Sequence, residues 1–155
     1  MTVRLLELSG ERVIDTSPAQ VFAMLIEPAR QLEWNSLYLS ATLSPPGDIA
    51  EGSVMTGRFK GAGRATVTFT DIVPGSSFTH VSRLLIAGLV PLGGFRHRYD
   101  VCPAGNGALV RQTVHVELNR LGQLLRGVIA SGFTKRLPES FDELARYAAS
   151  PHRNK

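Results

Sequence analysis

Cysteine is nearly absent: Cys102 is the only one among 155 residues. A lone thiol excludes an internal disulfide and any zinc site built on cysteine pairs, so Cys102 reads as a reduced structural residue. Long apolar runs are missing too. The longest apolar run without a charge, Leu84 to Phe95, is interrupted by glycines and by Pro91. It falls well short of the roughly 20 residues that cross a bilayer, so no stable membrane insertion is expected. The chain does not open on an apolar segment either. Arg4, Glu7, Glu11 and Arg12 stand where a signal peptide needs unbroken hydrophobicity, which makes a cytoplasmic location the expectation.

Concentrated charge is lacking as well. Lys and Arg outnumber Asp and Glu by 17 to 13, but they are scattered, with no basic block and no interleaving of basic and aromatic residues. Nucleic acid is therefore not an expected partner. The four histidines, at 80, 97, 115 and 152, show no short ligand spacing, and no metal is expected. Nucleophile elbow, phosphate loop and dinucleotide fingerprint are all absent, and no cofactor is expected.

What is present suffices for one core. With 43% apolar and 19% charged residues, the chain reads as a single domain over residues 1–149 with a frayed tail at 150–155. A monomer or a homodimer is expected. "RLLELSGERVIDT" suits an opening strand. In "DTSPAQVFAML", Ser17 is the N-cap and Pro18 the first helical position, where its missing N–H does no harm. Pro28 ends that helix and opens a second short one through Trp34.

From Leu37 to Leu118 the hydrophobic period becomes two, with turn signals suited to antiparallel strands. "GAG" at 61–63 and "AGNG" at 104–107 read as hairpin turns. The last forty residues return to helical spacing, with Leu121, Leu124, Leu125, Val128, Ile129, Phe133, Leu137, Phe141, Leu144 and Ala148 as the apolar stripe. Asn119 is its expected N-cap. Pro138 predicts a kink or break near Thr134 to Leu137.

This order, with the segment "IDTSPAQVFAMLIEPARQLEWNS", the turn "FTDIVPGSSFTH" and the late "LPESFDELARY", resembles the START-related (SRPBCC) superfamily, in particular its polyketide cyclase/dehydratase and lipid-transport branch. The resemblance implies an α+β helix-grip fold: a curved, seven-stranded antiparallel sheet around a long C-terminal helix, with two short helices between strands 1 and 2. It covers nearly the whole chain, but its motifs are structural and specify fold far better than activity.

Such a fold implies a cavity between sheet and helix, of the order of 300–1,000 Å³ and mostly apolar. Strand alternation then nominates its lining. In "FRHRYDV" the more apolar face carries Phe95, His97 and Tyr99, leaving Arg96, Arg98 and Asp100 outside. In "SFTHVSRLL" it carries Phe78, His80, Ser82 and Leu84, and in "LVRQTVHVEL" it carries Val110, Gln112, Val114 and Val116, with His115 outside. Phe69 and Asp71 are placed inward in "ATVTFTD", while "SVMTGRF" leaves its register open between Met55 with Phe59 and Val54 with Thr56 and Arg58.

The candidate ligand-binding residues are therefore Trp34, Phe69, Phe78, His80, Phe95, His97, Tyr99, Gln112 and Val114. The bland reading of each stands beside it: the histidines as core imidazoles satisfied by a neighbour, Trp34 as a cap on the core, and Tyr99 and Gln112 as partners of one another across adjacent strands.

Three functions fit. The first is binding or transport of a hydrophobic small molecule such as a lipid, isoprenoid or aromatic polyketide, with "IAGLVPLGG" overhanging the mouth as a glycine-hinged lid. The second is a cyclase/dehydratase in which His97 or His80 is the general base, Tyr99, Gln112 or Arg58 supplies the oxyanion donor, and Asp71 is the one inward carboxylate. The third is a regulatory module that meets another protein through the same apolar segment.

Overall fold

The computed structural model describes residues 4–86 and 89–150. Strand β1 (Arg4–Ile14) leads into helix α1 (Pro18–Ile26), where the Ser17 hydroxyl accepts from the Gln20 N–H and Pro18 occupies the first turn. Helix α2 (Pro28–Trp34) follows with a proline at its own start. Six strands come next: β2 (Tyr38–Ser44), β3 (Val54–Phe59), β4 (Gly63–Val73), β5 (Ser77–Ile86), β6 (Val90–Ala104) and β7 (Gly107–Leu118). A one-turn helix α3 (Arg120–Leu124) and the long helix α4 (Arg126–Ala148) complete the chain.

All seven strands pair antiparallel in one curved sheet, in the order β1-β7-β6-β5-β4-β3-β2. Five hairpins run in sequence from β2 to β7, and the first strand closes against the last, from Arg4 opposite Leu118 to Ile14 opposite Ala108. Helix α4 lies in the concave side with Leu137, Phe141, Leu144 and Ala148 buried. This is the expected helix-grip arrangement.

The buried side chains form two clusters. One gathers Ile14, Met24, Leu25, Phe69, Phe78, Phe141 and Leu144 under α1 and α2. The other gathers Leu6, Val114, Val116, Leu118 and Leu137 near the start of α4.

Four expectations change. Helix α4 runs unbroken through Pro138, and the interruption falls earlier, at Leu125, whose backbone leaves the helical region between α3 and α4. That break puts α3 and the first turns of α4 out of phase, so Leu124 and Val128 of the apolar stripe are exposed. The register of β3 resolves with Met55, Gly57 and Phe59 inward and Thr56 and Arg58 in solvent. Arg58 is thus unavailable as an oxyanion donor.

The segment "IAGLVPLGG" is not a free lid. Most of it extends the β5–β6 hairpin, with Ile86 opposite Val90, while Ala87 and Gly88 lie outside the described residues. Leu92 is buried, and its carbonyl accepts from the Asn119 N–H at 2.9 Å. Gly93 holds φ +149°, and a Cβ there would meet the Glu117 carbonyl oxygen at 1.8 Å, so only glycine lets β6 start so close to β7. Of the tail, Ser150 is described and 151–155 lie outside the described residues.

Candidate functional site: a cavity between the sheet and helix α4

The two core clusters do not meet everywhere, and the gap between them is a cavity of about 220 Å³. Its wall takes Tyr38, Phe59 and Tyr99 from the margin of one cluster and Phe95, Phe133 and Leu137 from the other. Helix α4 contributes Phe133, Arg136, Leu137 and Ser140, which share one face because they recur at spacings of three and four.

One polar unit sits in the sheet wall. Gln112 on β7 donates from Nε2 to the Tyr99 hydroxyl at 3.1 Å and lies 2.8 Å from His97 Nδ1. An amide nitrogen can only donate, so Nδ1 accepts and the neutral imidazole carries its proton on Nε2. The ladder causes this meeting, because Gln112 stands directly opposite Tyr99 and His97 lies two residues along the same face. His80 stands opposite His97 on the next strand, packed edge-on against Phe69 at 4.7 Å and against Tyr99 at 5.6 Å.

Burial disfavours the charged ring and lowers His97 to about 4. It lowers His80 to about 3, with the neighbouring His97 acting in the same direction. Burial likewise pushes both tyrosines up, Tyr38 with help from Tyr99 and Tyr99 against the pull of Arg136. At neutral pH these two histidines and two tyrosines are uncharged.

The helix wall is different. Arg136 donates through both terminal nitrogens to Glu143, at 2.7 and 3.3 Å, and to Asn35 Oδ1 at 2.7 Å. Glu143 also accepts from the Ser36 N–H and hydroxyl at 2.7 and 2.8 Å. Asn35 is oriented in turn by Gln31, whose side-chain carbonyl accepts from its amide. Burial alone would raise Glu143, but the hydrogen bonds from Arg136 and Ser36 outweigh it and hold the carboxyl at about 2.

Three buried side-chain nitrogens lack a hydrogen-bond partner among the described residues: His80 Nε2, His97 Nε2 and Arg136 Nε. All three belong to residues that line this one cavity.

Of the side chains nominated from sequence, His80, Phe95, His97, Tyr99 and Gln112 line the cavity. Phe69, Phe78 and Val114 lie behind them in the packed core, fully buried. Trp34 is also a core residue, with its indole N–H donating to the Met24 carbonyl at 2.9 Å, and it does not reach the cavity.

Asp71 is corrected outright. The β4–β5 ladder shifts between Thr70 and Val73, Asp71 takes φ +53°, and its carboxylate faces Arg96 on the outside of the sheet. Glu51 secures this bulge by accepting from the Asp71 and Ile72 N–H groups at 2.9 and 3.1 Å. Among the described residues no carboxylate remains beside either histidine to orient it.

Sequence reasoning missed Tyr38 and Arg136 and left Phe59 as one of two open choices for the inward face of its strand. A cation at spacing three from Phe133 and beside Leu137 was the available signal for Arg136, since such a position lies on the buried side of the helix. A second depression, between α1, α2 and β2, is larger at about 740 Å³ but shallow and open, and it collects none of the unpartnered nitrogens.

The family model described as polyketide cyclase / dehydrase and lipid transport matches residues 6–149. No curated protein matches the chain. Among solved structures, the chain is similar to the Mll3558 protein of Rhizobium loti, with a TM-score of 0.73 at 22% identity, covering 94% of this chain and 99% of that one. It is similar also to TTHA0849 of Thermus thermophilus, with a TM-score of 0.72 at 14% identity and coverage of 93% and 97%. Truncated norcoclaurine synthase of Thalictrum flavum has a TM-score of 0.71 at 11% identity, with 95% of each chain covered. At these identities the likeness is one of fold.

Proposed function

This chain belongs to the polyketide cyclase/dehydrase and lipid transport family, and we propose that it binds a compact apolar molecule, bearing at least one oxygen acceptor, in the cavity between the sheet and α4. One observation carries the reading: every buried side-chain nitrogen without a partner among the described residues belongs to a residue that lines that cavity. Leaving a buried donor unpaired costs about 1–3 kcal/mol, and native structures leave few such groups. A ligand oxygen at His97 Nε2–H would offset that cost.

Size narrows the ligand. A cavity of about 150 Å³ accommodates benzene, so 220 Å³ suits one or two fused rings or a short chain better than a long lipid tail. Aromatic walls at Tyr38, Phe59, Phe95 and Phe133 favour a flat ligand.

The wall supports binding better than proton abstraction. A general base works best with a pKa near the operating pH, and His97 and His80 lie at about 4 and 3. Neither has a carboxylate to stabilise an imidazolium, because Asp71 faces outward.

Calorimetric titration with 2-naphthol tests the reading. Saturable 1:1 binding with a negative heat-capacity change is expected, weakened about tenfold in His97→Phe by loss of roughly one hydrogen bond. Absence of saturable binding by any of a panel of one- and two-ring phenols would overturn it.

A further inference from the structure

Resting on that binding reading, we propose that the ligand is a compact aromatic anion whose carboxylate, or equivalent acidic group, sits at the open end of the cavity. Four charged residues line the cavity, Lys60, Arg64, Arg83 and Arg136, and all are cationic. Among the described residues no Asp or Glu lines it.

Lys60, Arg64 and Arg83 are exposed and mark the open end, where the β3–β4 turn, the start of β4 and the far half of β5 converge. None of the three has an ion-pair partner among the described residues. Arg96, Arg98 and Arg111, which do not line the cavity, each hold a carboxylate.

Farther in, Arg136 spends its terminal nitrogens on Glu143 and Asn35 and keeps Nε–H unpartnered. Its charge is matched by Glu143, so Arg136 offers a directed donor, and the three rim cations supply the net positive field. Cations that rim an apolar cleft raise the local concentration of anions and speed their capture. The sheet wall beyond them, with neutral histidines and un-ionised tyrosines, accepts the uncharged end of the same molecule. Polarity thus runs from a cationic mouth to a neutral aromatic interior, which is the complement of an aromatic acid entering ring first.

The test compares 2-naphthoate with 2-naphthamide, a neutral ligand of nearly the same shape, by calorimetry on the full chain. At low salt 2-naphthoate is expected to bind about tenfold tighter, and the ratio should shrink toward one in 0.5 M NaCl. In the triple variant Lys60→Gln, Arg64→Gln, Arg83→Gln, confined to exposed side chains, the ratio should fall toward one even at low salt. Equal binding of both ligands by the unaltered protein overturns the anion assignment and leaves the binding reading standing. Failure of both to bind overturns the two together. A preference that survives in the triple variant removes these three cations from the proposal.

Discussion

Gln112 Nε2 lies 2.8 Å from His97 Nδ1, and this contact, made across two neighbouring strands, fixes which face of the imidazole donates. Nitrogen-15 spectra at pH 7 should show His97 as the neutral Nε2–H tautomer. Replacing Gln112 with Glu puts a carboxylate against Nδ1, which should protonate that nitrogen and raise the His97 pKa by about 1–3 units. An unchanged titration in Gln112→Glu would mean that the two side chains do not meet.

Acid should weaken the fold before it reaches the carboxylate range. His97 and His80 titrate at about 4 and 3 in the folded chain, against about 6.5 unfolded. Between those limits the unfolded state binds more protons, so unfolding free energy falls as pH drops below about 6.5 and continues falling to about 3. Glu143, held at about 2, adds loss in the same direction below pH 4.5. Urea midpoints at pH 7.5, 6.0 and 5.0 should decrease in that order, and the pH slope should flatten in His97→Phe. The groups facing the two rings are Phe69, Phe78, Phe95, Tyr99, Gln112, Phe133 and one another, none of them a carboxylate that would reverse the sign.

The clasp between α4 and the α2–β2 joint should count measurably toward stability. Arg136 and Glu143 retain 18% and 15% side-chain exposure, so removing one partner should cost somewhat less than the ~3–5 kcal/mol of a fully buried pair. We expect about 2–3 kcal/mol for Arg136→Gln in urea unfolding. The double variant Arg136→Met, Glu143→Leu should recover most of that loss, since two apolar side chains leave no orphaned charge. A double variant as unstable as the single one would show that packing, and not the charge pair, sets the cost.

Gly93 permits no side chain. Alanine there takes on both an unfavourable φ and a collision with the Glu117 carbonyl, of the order of 1–3 kcal/mol each. At roughly 2–4 °C per kcal/mol for a chain of this size, thermal unfolding of Gly93→Ala should move down by about 5–15 °C. Gly127→Ala, where a Cβ meets nothing within 4 Å, is the control and should melt at or slightly above the unaltered chain.

Much of the sheet was legible because its faces alternate cleanly. His97, His80 and Gln112 fell on the concave side as their apolar neighbours required. Phe69 and Phe78 were placed on the correct face, yet alternation says nothing of depth along a strand, and both lie in packed core and not on the cavity wall. Asp71 escaped because a one-residue shift reverses every side chain beyond it, and the bulge between Thr70 and Val73 has no glycine to announce it. Arg136 escaped for another reason. Its partners Asn35 and Glu143 lie 101 and 7 residues away, and no local pattern pairs an arginine with an asparagine on a separate helix. The shape of the cavity, set by how far α4 stands off the sheet, has no counterpart in hydrophobic periodicity.

The closure of β1 on β7 bears on how the chain is made. At the edge of the sheet, β1 has β7 as its one strand neighbour, and the register joins Leu5 to Glu117 and Val13 to Leu109. During synthesis, β1 therefore leaves the ribosome more than ninety residues ahead of the strand that pairs with it. The hairpins from β2 to β7 can form in order as they emerge, but the first strand waits through all of them, its leucines uncovered until both β7 and the helix are available. Pairings of such long range are slow to form and leave apolar surface open to other chains meanwhile. A nascent chain of this protein thus exposes its most vulnerable segment early and for longest, within reach of any chaperone that waits at the ribosome.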